Sequence, residues 1–130
     1  MTKPPESPLV VLADDHHDTR DMYADFLIVN GFRVAVAADG MKAVALVKRL
    51  RPAVVVLDIE MPKLDGIAAL KRIRRQPELR DVPVLMLTSY DHLEADALAA
   101  GATSVCMKPC AHDKLLEQIR PLMLKASRHH

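Results

Sequence analysis

The 130-residue chain has no tryptophan and only two cysteines, and tyrosine and phenylalanine together contribute four residues. Two cysteines are too few for the disulfide framework that staples small secreted domains. The scarcity of aromatic side chains removes the platforms on which unpaired nucleic-acid bases stack. No apolar run approaches the roughly 20 residues that a membrane-spanning helix needs.

An excess of charge of either sign is also lacking, since the chain has 18 basic and 17 acidic residues and a formal net charge of +1. This balance gives no general attraction to nucleic acid or to an acidic membrane, so any electrostatic function must be local. Half of the residues are hydrophobic, as in an ordinary globular domain. We therefore expect one cytoplasmic domain that binds neither nucleic acid nor membranes directly. A flexible lead is expected over residues 1–7, and a tail or tag remnant over residues 128–130.

Five short apolar runs recur along the chain, and each is followed by residues with helical periodicity. Continuous apolar runs are typical of strands that are covered on both faces. A strand and a helix that alternate five times indicate a parallel α/β sheet with right-handed crossovers. Five strands in a chain of this length fit the doubly wound, flavodoxin-like (βα)5 fold with strand order 2-1-3-4-5. The predicted strands span residues 9–13, 32–37, 53–57, 82–87 and 104–107.

Several residues predict where helices begin and end. Gly31 and Gly101 are predicted to stop helices, because glycine accepts the left-handed conformation that follows many helices. Asp39 and Asp91 are predicted N-caps. Pro121 lies inside the last helical pattern and is expected to kink or split that helix.

Polar residues follow the predicted strands at the sheet edge where ligands bind in such folds. Strand one is followed by Asp14 and Asp15, and strand three by Asp58; Thr88 and Lys108 follow strands four and five. Three neighbouring carboxylates need a counter-charge, and Mg²⁺ prefers oxygen ligands of this kind. A cation, a lysine and a hydroxyl around one carboxylate stabilise a transferred phosphoryl group, and aspartate can itself be the nucleophile.

The order and spacing of these residues resemble those of the receiver domain of bacterial two-component response regulators, over about residues 8–127. The resemblance implies a phosphorylated signalling module that catalyses its own phosphorylation and dephosphorylation, rather than a metabolic enzyme. It also implies a downstream partner or output domain. The segments that carry it are Asp14-Asp15, residues 58–66 (DIEMPKLDG), Thr88-Ser89 and Lys108-Pro109.

The resemblance implies a phosphoryl acceptor and its contacts. Asp58 would take a phosphoryl group from a phosphohistidine of a sensor histidine kinase or a histidine phosphotransfer protein. Thr88 and Lys108 would contact the phosphoryl oxygens, and the Lys108–Pro109 peptide bond would be cis.

The resemblance also implies a metal site. Asp15, Asp58 and the backbone carbonyl of Glu60 would bind Mg²⁺, for which Mn²⁺ would be a substitute. Asp14 would hold the water molecules around the metal.

The chain departs from the family's usual pattern at two positions. Receivers usually carry tyrosine or phenylalanine three residues before the lysine, where this chain has Val105, and commonly phenylalanine where it has Cys110. The aromatic side chain of the usual conformational switch is therefore missing. Cys106 and Cys110 have the spacing C-x-x-x-C instead of the C-x-x-C of redox and zinc sites, and Cys106 is predicted to be a small buried hydrophobe.

Two other functions fit parts of the pattern. An aspartyl-phosphate phosphatase also uses a nucleophilic aspartate and Mg²⁺, but Ile59-Glu60-Met61 after Asp58 breaks the D-x-D pattern of such enzymes. A flavodoxin-like cofactor binder needs a phosphate loop rich in hydroxyl and amide groups after strand one. Residues 14–18 (DDHHD) would instead repel a phosphate.

Overall fold

The computed structural model describes residues 7–127. Apart from Ser7, the predicted lead lies outside the described residues, as does the predicted tail over residues 128–130. None of the helices in the described range combines the length and the hydropathy that a membrane crossing requires.

Five strands alternate with five helices along the described chain. The strands are β1 (Leu9–Ala13), β2 (Arg33–Ala37), β3 (Val54–Asp58), β4 (Val84–Thr88) and β5 (Ser104–Met107). The helices are α1 (His17–Val29), α2 (Gly40–Leu50), α3 (Gly66–Arg74), α4 (Glu94–Ala99) and α5 (His112–Ser127), and two 3₁₀ turns span Pro77–Leu79 and Asp91–Leu93.

The strands begin up to two residues later than predicted. The largest difference is at β4, which begins after Pro83, because proline has no N–H to donate to the sheet. Strands β3 and β4 each extend one residue beyond the prediction, so Asp58 and Thr88 are the last residues of their strands.

The sheet is parallel throughout, with the order β2-β1-β3-β4-β5, which confirms the predicted flavodoxin-like fold. Strands β1 and β3 are therefore neighbours, and Ala13 pairs with Leu57. The residues that follow Ala13 consequently lie beside Asp58 at the carboxyl edge of the sheet.

Both faces of the sheet are covered, which explains the continuous apolar runs. Helices α1 and α5 pack on one face, where Val54 and Val56 of β3 point. Helices α2, α3 and α4 pack on the other face against Val55 and Leu57. Every residue of β3 is buried, including Asp58.

Three of the predicted helix ends are confirmed. Gly31 and Gly101 have φ angles of 95° and 111° and directly follow the C-caps of α1 and α4. The side chain of Asp39 caps α2 by accepting a hydrogen bond of 2.8 Å from the backbone N–H of Lys42.

The prediction for Asp91 is wrong. Asp91 begins the 3₁₀ turn, which runs directly into α4, and its side chain caps no helix. Helix α4 instead starts at Glu94 after Leu93, without a side-chain cap.

The prediction that Pro121 splits the last helix is also wrong, because α5 continues through it to Ser127. Leu115 and Ile119, one turn apart and fully buried, anchor the preceding turns against the sheet, and such packing supplies most helical stability. A kink at Pro121 stays a prediction.

Candidate functional site

Two buried carboxylates lie at the carboxyl edge of the sheet. Asp14 follows β1, where its backbone N–H donates to the carbonyl of Ala37 at 3.1 Å, and Asp58 ends β3. Both residues have 0% exposure. A buried ionised carboxylate needs a partner charge or hydrogen bonds, so both carboxylates require such partners at this edge of the sheet.

Lys108 supplies that partner from the loop after β5. Its Nζ lies 2.7 Å from Asp58 Oδ2 and 3.9 Å from Asp14 Oδ2. The backbone N–H of Glu60 donates to Asp58 Oδ1 at 3.2 Å. The Lys108–Pro109 peptide bond is cis, as the resemblance implies.

Burial and the contact between Asp58 and Lys108 shift the pKa values of both side chains. Burial raises the pKa of Asp58 to about 6, although the hydrogen bond and charge of Lys108 oppose the shift. Burial by itself lowers the pKa of Lys108, but the hydrogen bond and charge of Asp58 outweigh it and the net shift is upward. Lys108 is therefore a permanent positive charge at this site.

Asp14, Asp15, His16 and Asp58 each place a ligand atom so that all four atoms lie within 4.8 Å of one another. Asp14 Oδ2 is buried and accepts no hydrogen bond, and the Lys108 ammonium lies 3.9 Å from it. His16 donates its backbone N–H to Asp14 Oδ1 at 2.8 Å and lies outside the predicted metal ligands. Because Mg²⁺ is a hard cation that prefers oxygen, the three carboxylates fit it.

The Glu60 side chain lies away from this group and reaches the end of β4. Its Oε1 accepts hydrogen bonds from the backbone N–H of Ser89 at 3.1 Å and from the Thr88 hydroxyl at 3.4 Å. Thr88 Oγ1 in turn accepts from the backbone N–H of Tyr90 at 3.1 Å. The structure thus places Thr88 at the site edge but bonds it to Glu60. The predicted role of the Glu60 backbone carbonyl stays a prediction.

Cys106 is buried in β5 as predicted, but the sequence interpretation missed its contact with Cys110. The two Sγ atoms are 2.8 Å apart. The four-residue spacing, with a loop-forming proline between the cysteines, was the only signal in the sequence for this contact.

Without divalent cations, raising the pH should destabilise the protein relative to its Asp58→Asn variant. Folding raises the pKa of Asp58 from 3.8 to about 6, so between these values the folded state keeps a proton that the unfolded state releases. Stability therefore falls as the pH rises from about 4 to about 6, by up to about 3 kcal/mol, and changes no further above that range. Urea unfolding of both proteins in EDTA measures the difference. A difference that is constant with pH would contradict the raised pKa.

Comparison with known proteins shows a likeness over most of the described residues. The family profile described as "Response regulator receiver domain" matches residues 10–120. The response regulator MprA of Mycobacterium sp. (strain KMS) is 35% identical over 120 residues, which are 91% of this chain and 51% of MprA. The chain spans about half the length of the curated relatives that it matches.

Solved structures show the same fold. The receiver domain of the Francisella response regulator 1452 superposes with a TM-score of 0.84 at 30% identity, covering 92% of this chain and 98% of that domain. The receiver domain of the sensor histidine kinase PA1611 from Pseudomonas aeruginosa PAO1 gives a TM-score of 0.83 at 29% identity, covering 90% and 98%. That structure holds a magnesium ion coordinated in the active-site cleft.

Proposed function

Since the chain belongs to the response regulator receiver domain family, we propose that residues 8–127 are the phosphoacceptor unit of a two-component phosphorelay. The proposed donor is a phosphohistidine of a sensor histidine kinase or of a histidine phosphotransfer protein, and the acceptor is Asp58. The observation that carries the proposal is the position of Asp58, which is fully buried beside Asp14 with Lys108 Nζ 2.7 Å away.

In the proposed reaction, a carboxylate oxygen of Asp58 attacks phosphorus. The bond from phosphorus to the donor imidazole breaks, and the imidazole nitrogen keeps the electron pair and takes up a proton. The negative charge gathers on the phosphoryl oxygens, where Lys108 is already in place as a positive charge.

Asp15, Asp58 and the backbone carbonyl of Glu60 are the proposed ligands of Mg²⁺, and Asp14 is proposed to hold the water molecules around the metal. When bound, Mg²⁺ supplies positive charge that attracts the phosphoryl oxygens. Asp14 Oδ2 supports this assignment, because it accepts no hydrogen bond and has the Lys108 ammonium no nearer than 3.9 Å, and a buried anionic oxygen without a donor is costly unless a cation or water molecule satisfies it.

The proposed role of Thr88 requires a change of partner. Its hydroxyl now donates to Glu60 Oε1 at 3.4 Å. To donate to a phosphoryl oxygen on Asp58, the hydroxyl must leave Glu60, and phosphorylation should therefore leave the Ser89 backbone N–H as the remaining donor to Glu60 Oε1.

The experiment that tests the proposal is phosphorylation with acetyl phosphate. Incubation with Mg²⁺ should add one phosphoryl group to each chain, and EDTA should prevent the addition. Continuous release of phosphate from an excess of unrelated phosphate esters would instead favour the phosphatase alternative, because a receiver is consumed after one transfer until its own phosphoryl group hydrolyses.

The phosphorylated state should last for minutes or longer. Hydrolysis needs a water molecule in line with the phosphorus–oxygen bond. We expect Glu60 and Tyr90 to border its approach, because they follow Asp58 and Thr88 by two residues each. The Glu60 carboxylate repels the negatively charged phosphoryl group. The ring of Tyr90 limits the access of water to it. The loss of phosphate should be followed in the wild type, Glu60→Ala and Tyr90→Ala. Rapid hydrolysis at equal rates in all three would show that neither side chain controls the water.

Phosphorylation should be transmitted through the loop after β4 and through α4. Val105 lacks the aromatic ring that would report the position of Thr88, whereas Tyr90 donates its backbone N–H to Thr88 Oγ1 and has a half-exposed ring. Helix α4 has six residues and no side-chain cap, so it is held weakly. Backbone NMR with beryllofluoride, which imitates the phosphoryl group, should show shifts over residues 90–100. Shifts confined to the loops around Asp14 and Asp58 would indicate a phosphate sink without a switch.

A further inference from the structure

The two cysteine thiols lie against each other at the base of the loop that carries Lys108. Cys106 belongs to β5 and Cys110 precedes α5, and their Sγ atoms are 2.8 Å apart. Both residues are buried, with exposed fractions of 6% and 3%, and both thiols are free. The two cysteines therefore stand at opposite ends of the loop of residues 107–109, and their sulfur atoms meet at its base.

The separation of the pair favours a sulfur–sulfur bond over a bound metal. Two thiolates on a tetrahedral zinc ion, with bonds of about 2.3 Å, would lie about 3.8 Å apart, whereas a disulfide holds its sulfurs at about 2.0 Å. No third histidine, cysteine, aspartate or glutamate joins the pair at ligand distance among residues 7–127. The Sγ–Sγ distance of 2.8 Å thus has to shorten by less than about 1 Å to form a disulfide.

The backbone around the pair is held independently of the sulfur atoms. The buried hydroxyl of Tyr23 on α1 donates to the carbonyl of Cys110 at 2.9 Å. Cys106 is fixed by the pairing of β5 with β4, where it lies opposite Leu87. Because both backbones are already in place, little conformational freedom remains to be lost when the bond forms.

We propose that Cys106 and Cys110 form a reversible disulfide that closes the loop carrying Lys108. The co-reactant is a low-molecular-weight disulfide such as glutathione disulfide. One cysteine attacks it and expels the first glutathione, and the second cysteine attacks the resulting mixed disulfide and expels the second. The two thiol protons end on the two glutathione molecules, and the two electrons that the protein loses reduce the small disulfide.

Burial makes this exchange slow. Burial, together with the neighbouring Cys106 thiol, raises the pKa of the Cys110 thiol to about 12, so little Cys110 thiolate exists at neutral pH. The small disulfide also has to reach sulfur atoms that are almost fully covered. Oxidation should therefore follow the prevailing thiol–disulfide balance over long times and not respond to brief changes.

The disulfide bears on phosphorylation through Lys108, a consequence that rests on the proposed function. In the reduced structure Lys108 Nζ bonds to Asp58 Oδ2 at 2.7 Å. Shortening the Sγ–Sγ distance from 2.8 Å to the roughly 2.0 Å of a disulfide displaces the two ends of the loop, and Lys108 Nζ with them, from its place beside Asp58. The oxidised protein should accept the phosphoryl group several-fold more slowly than the reduced protein.

Equilibration with glutathione buffers tests the disulfide itself. The full chain should be equilibrated folded and in concentrated urea, quenched by alkylation and analysed by intact mass. The equilibrium constant for the intramolecular disulfide should be at least about tenfold larger in the folded chain, because folding brings the sulfurs together. The Cys110→Ser variant should form only a mixed disulfide with glutathione. Equal constants in the two states, or disulfide-linked dimers from the folded chain, would overturn the proposal.

Labelling with acetyl phosphate separates this inference from the proposed function. Oxidised and reduced wild type should differ in labelling rate, and the double variant Cys106→Ser/Cys110→Ser, which forms neither disulfide, should label equally fast under both conditions. Equal rates for oxidised and reduced wild type would overturn the effect on Lys108. Failure of the reduced wild type to label at all would contradict the proposed function, whereas the glutathione equilibrium alone decides whether the disulfide forms.

Discussion

Replacement of Asp58 by asparagine should lower Mg²⁺-dependent labelling by acetyl phosphate at least about a thousandfold. The amide keeps the shape of the buried side chain but has no anionic oxygen to attack phosphorus. Lys108→Met should lower the rate by about a hundredfold or more, because it removes the charge 2.7 Å from the acceptor but leaves the nucleophile. Intact-mass spectrometry over time measures both effects.

Asp65→Asn is the matched control for these variants. Asp65 follows the acceptor loop and caps α3 by accepting a 2.8 Å hydrogen bond from the backbone N–H of Ala68, a role that asparagine fills equally well. This variant should label at the wild-type rate. If Asp58→Asn keeps more than a small part of the Mg²⁺-dependent labelling while Asp65→Asn also labels, Asp58 is not the acceptor.

Replacement of Gly66 by alanine should destabilise the folded protein by about 3 kcal/mol or more. A Cβ atom at Gly66 would overlap the carbonyl oxygen of Asp58 and lie 2.7 Å from the Cα of Ile59. These are backbone atoms, which cannot rotate away as a side chain does. The clash also falls on the acceptor residue, so the variant should lose labelling as well as stability.

Gly31→Ala provides the comparison for that prediction. A Cβ atom at Gly31 meets nothing within 4 Å, so only its φ angle of 95° opposes alanine. Gly31→Ala should lower the free energy of unfolding by about 1 to 2 kcal/mol. Its labelling by acetyl phosphate should be unchanged. Urea unfolding of both variants measures the difference. Equal losses in the two would show that contact with the Asp58 backbone is not what requires glycine at position 66.

The fold and the cluster of charged side chains at its carboxyl edge could be predicted because they depend on strand order. Once β1 and β3 are neighbours, residues that end these strands must meet, which brings Asp14 and Asp58 together. Lys108 follows β5, which β4 separates from β3, so its long side chain is needed to reach Asp58. The family motif adds a proposed role for each residue, which strand order alone leaves open.

Side-chain contacts between loops were outside the reach of the sequence. The hydrogen bond between Thr88 and Glu60 joins residues that are 28 positions apart, and it depends on the rotamer that Glu60 adopts. The approach of Cys106 and Cys110 depends on the path of a three-residue loop. The incorrect prediction for Asp91 has a similar cause, since a 3₁₀ turn that continues into α4 leaves no separate helix start to cap.

Reductive trapping of the phosphorylated residue tests the central claim most directly. Borohydride reduces an aspartyl phosphate to homoserine and leaves free aspartate unchanged, so peptide sequencing after labelling locates the acceptor. We expect homoserine at position 58 when Mg²⁺ is present and none when EDTA replaces it. Homoserine at Asp14, Asp15 or any other position instead of 58, or equal trapping at 58 with EDTA, would contradict the account.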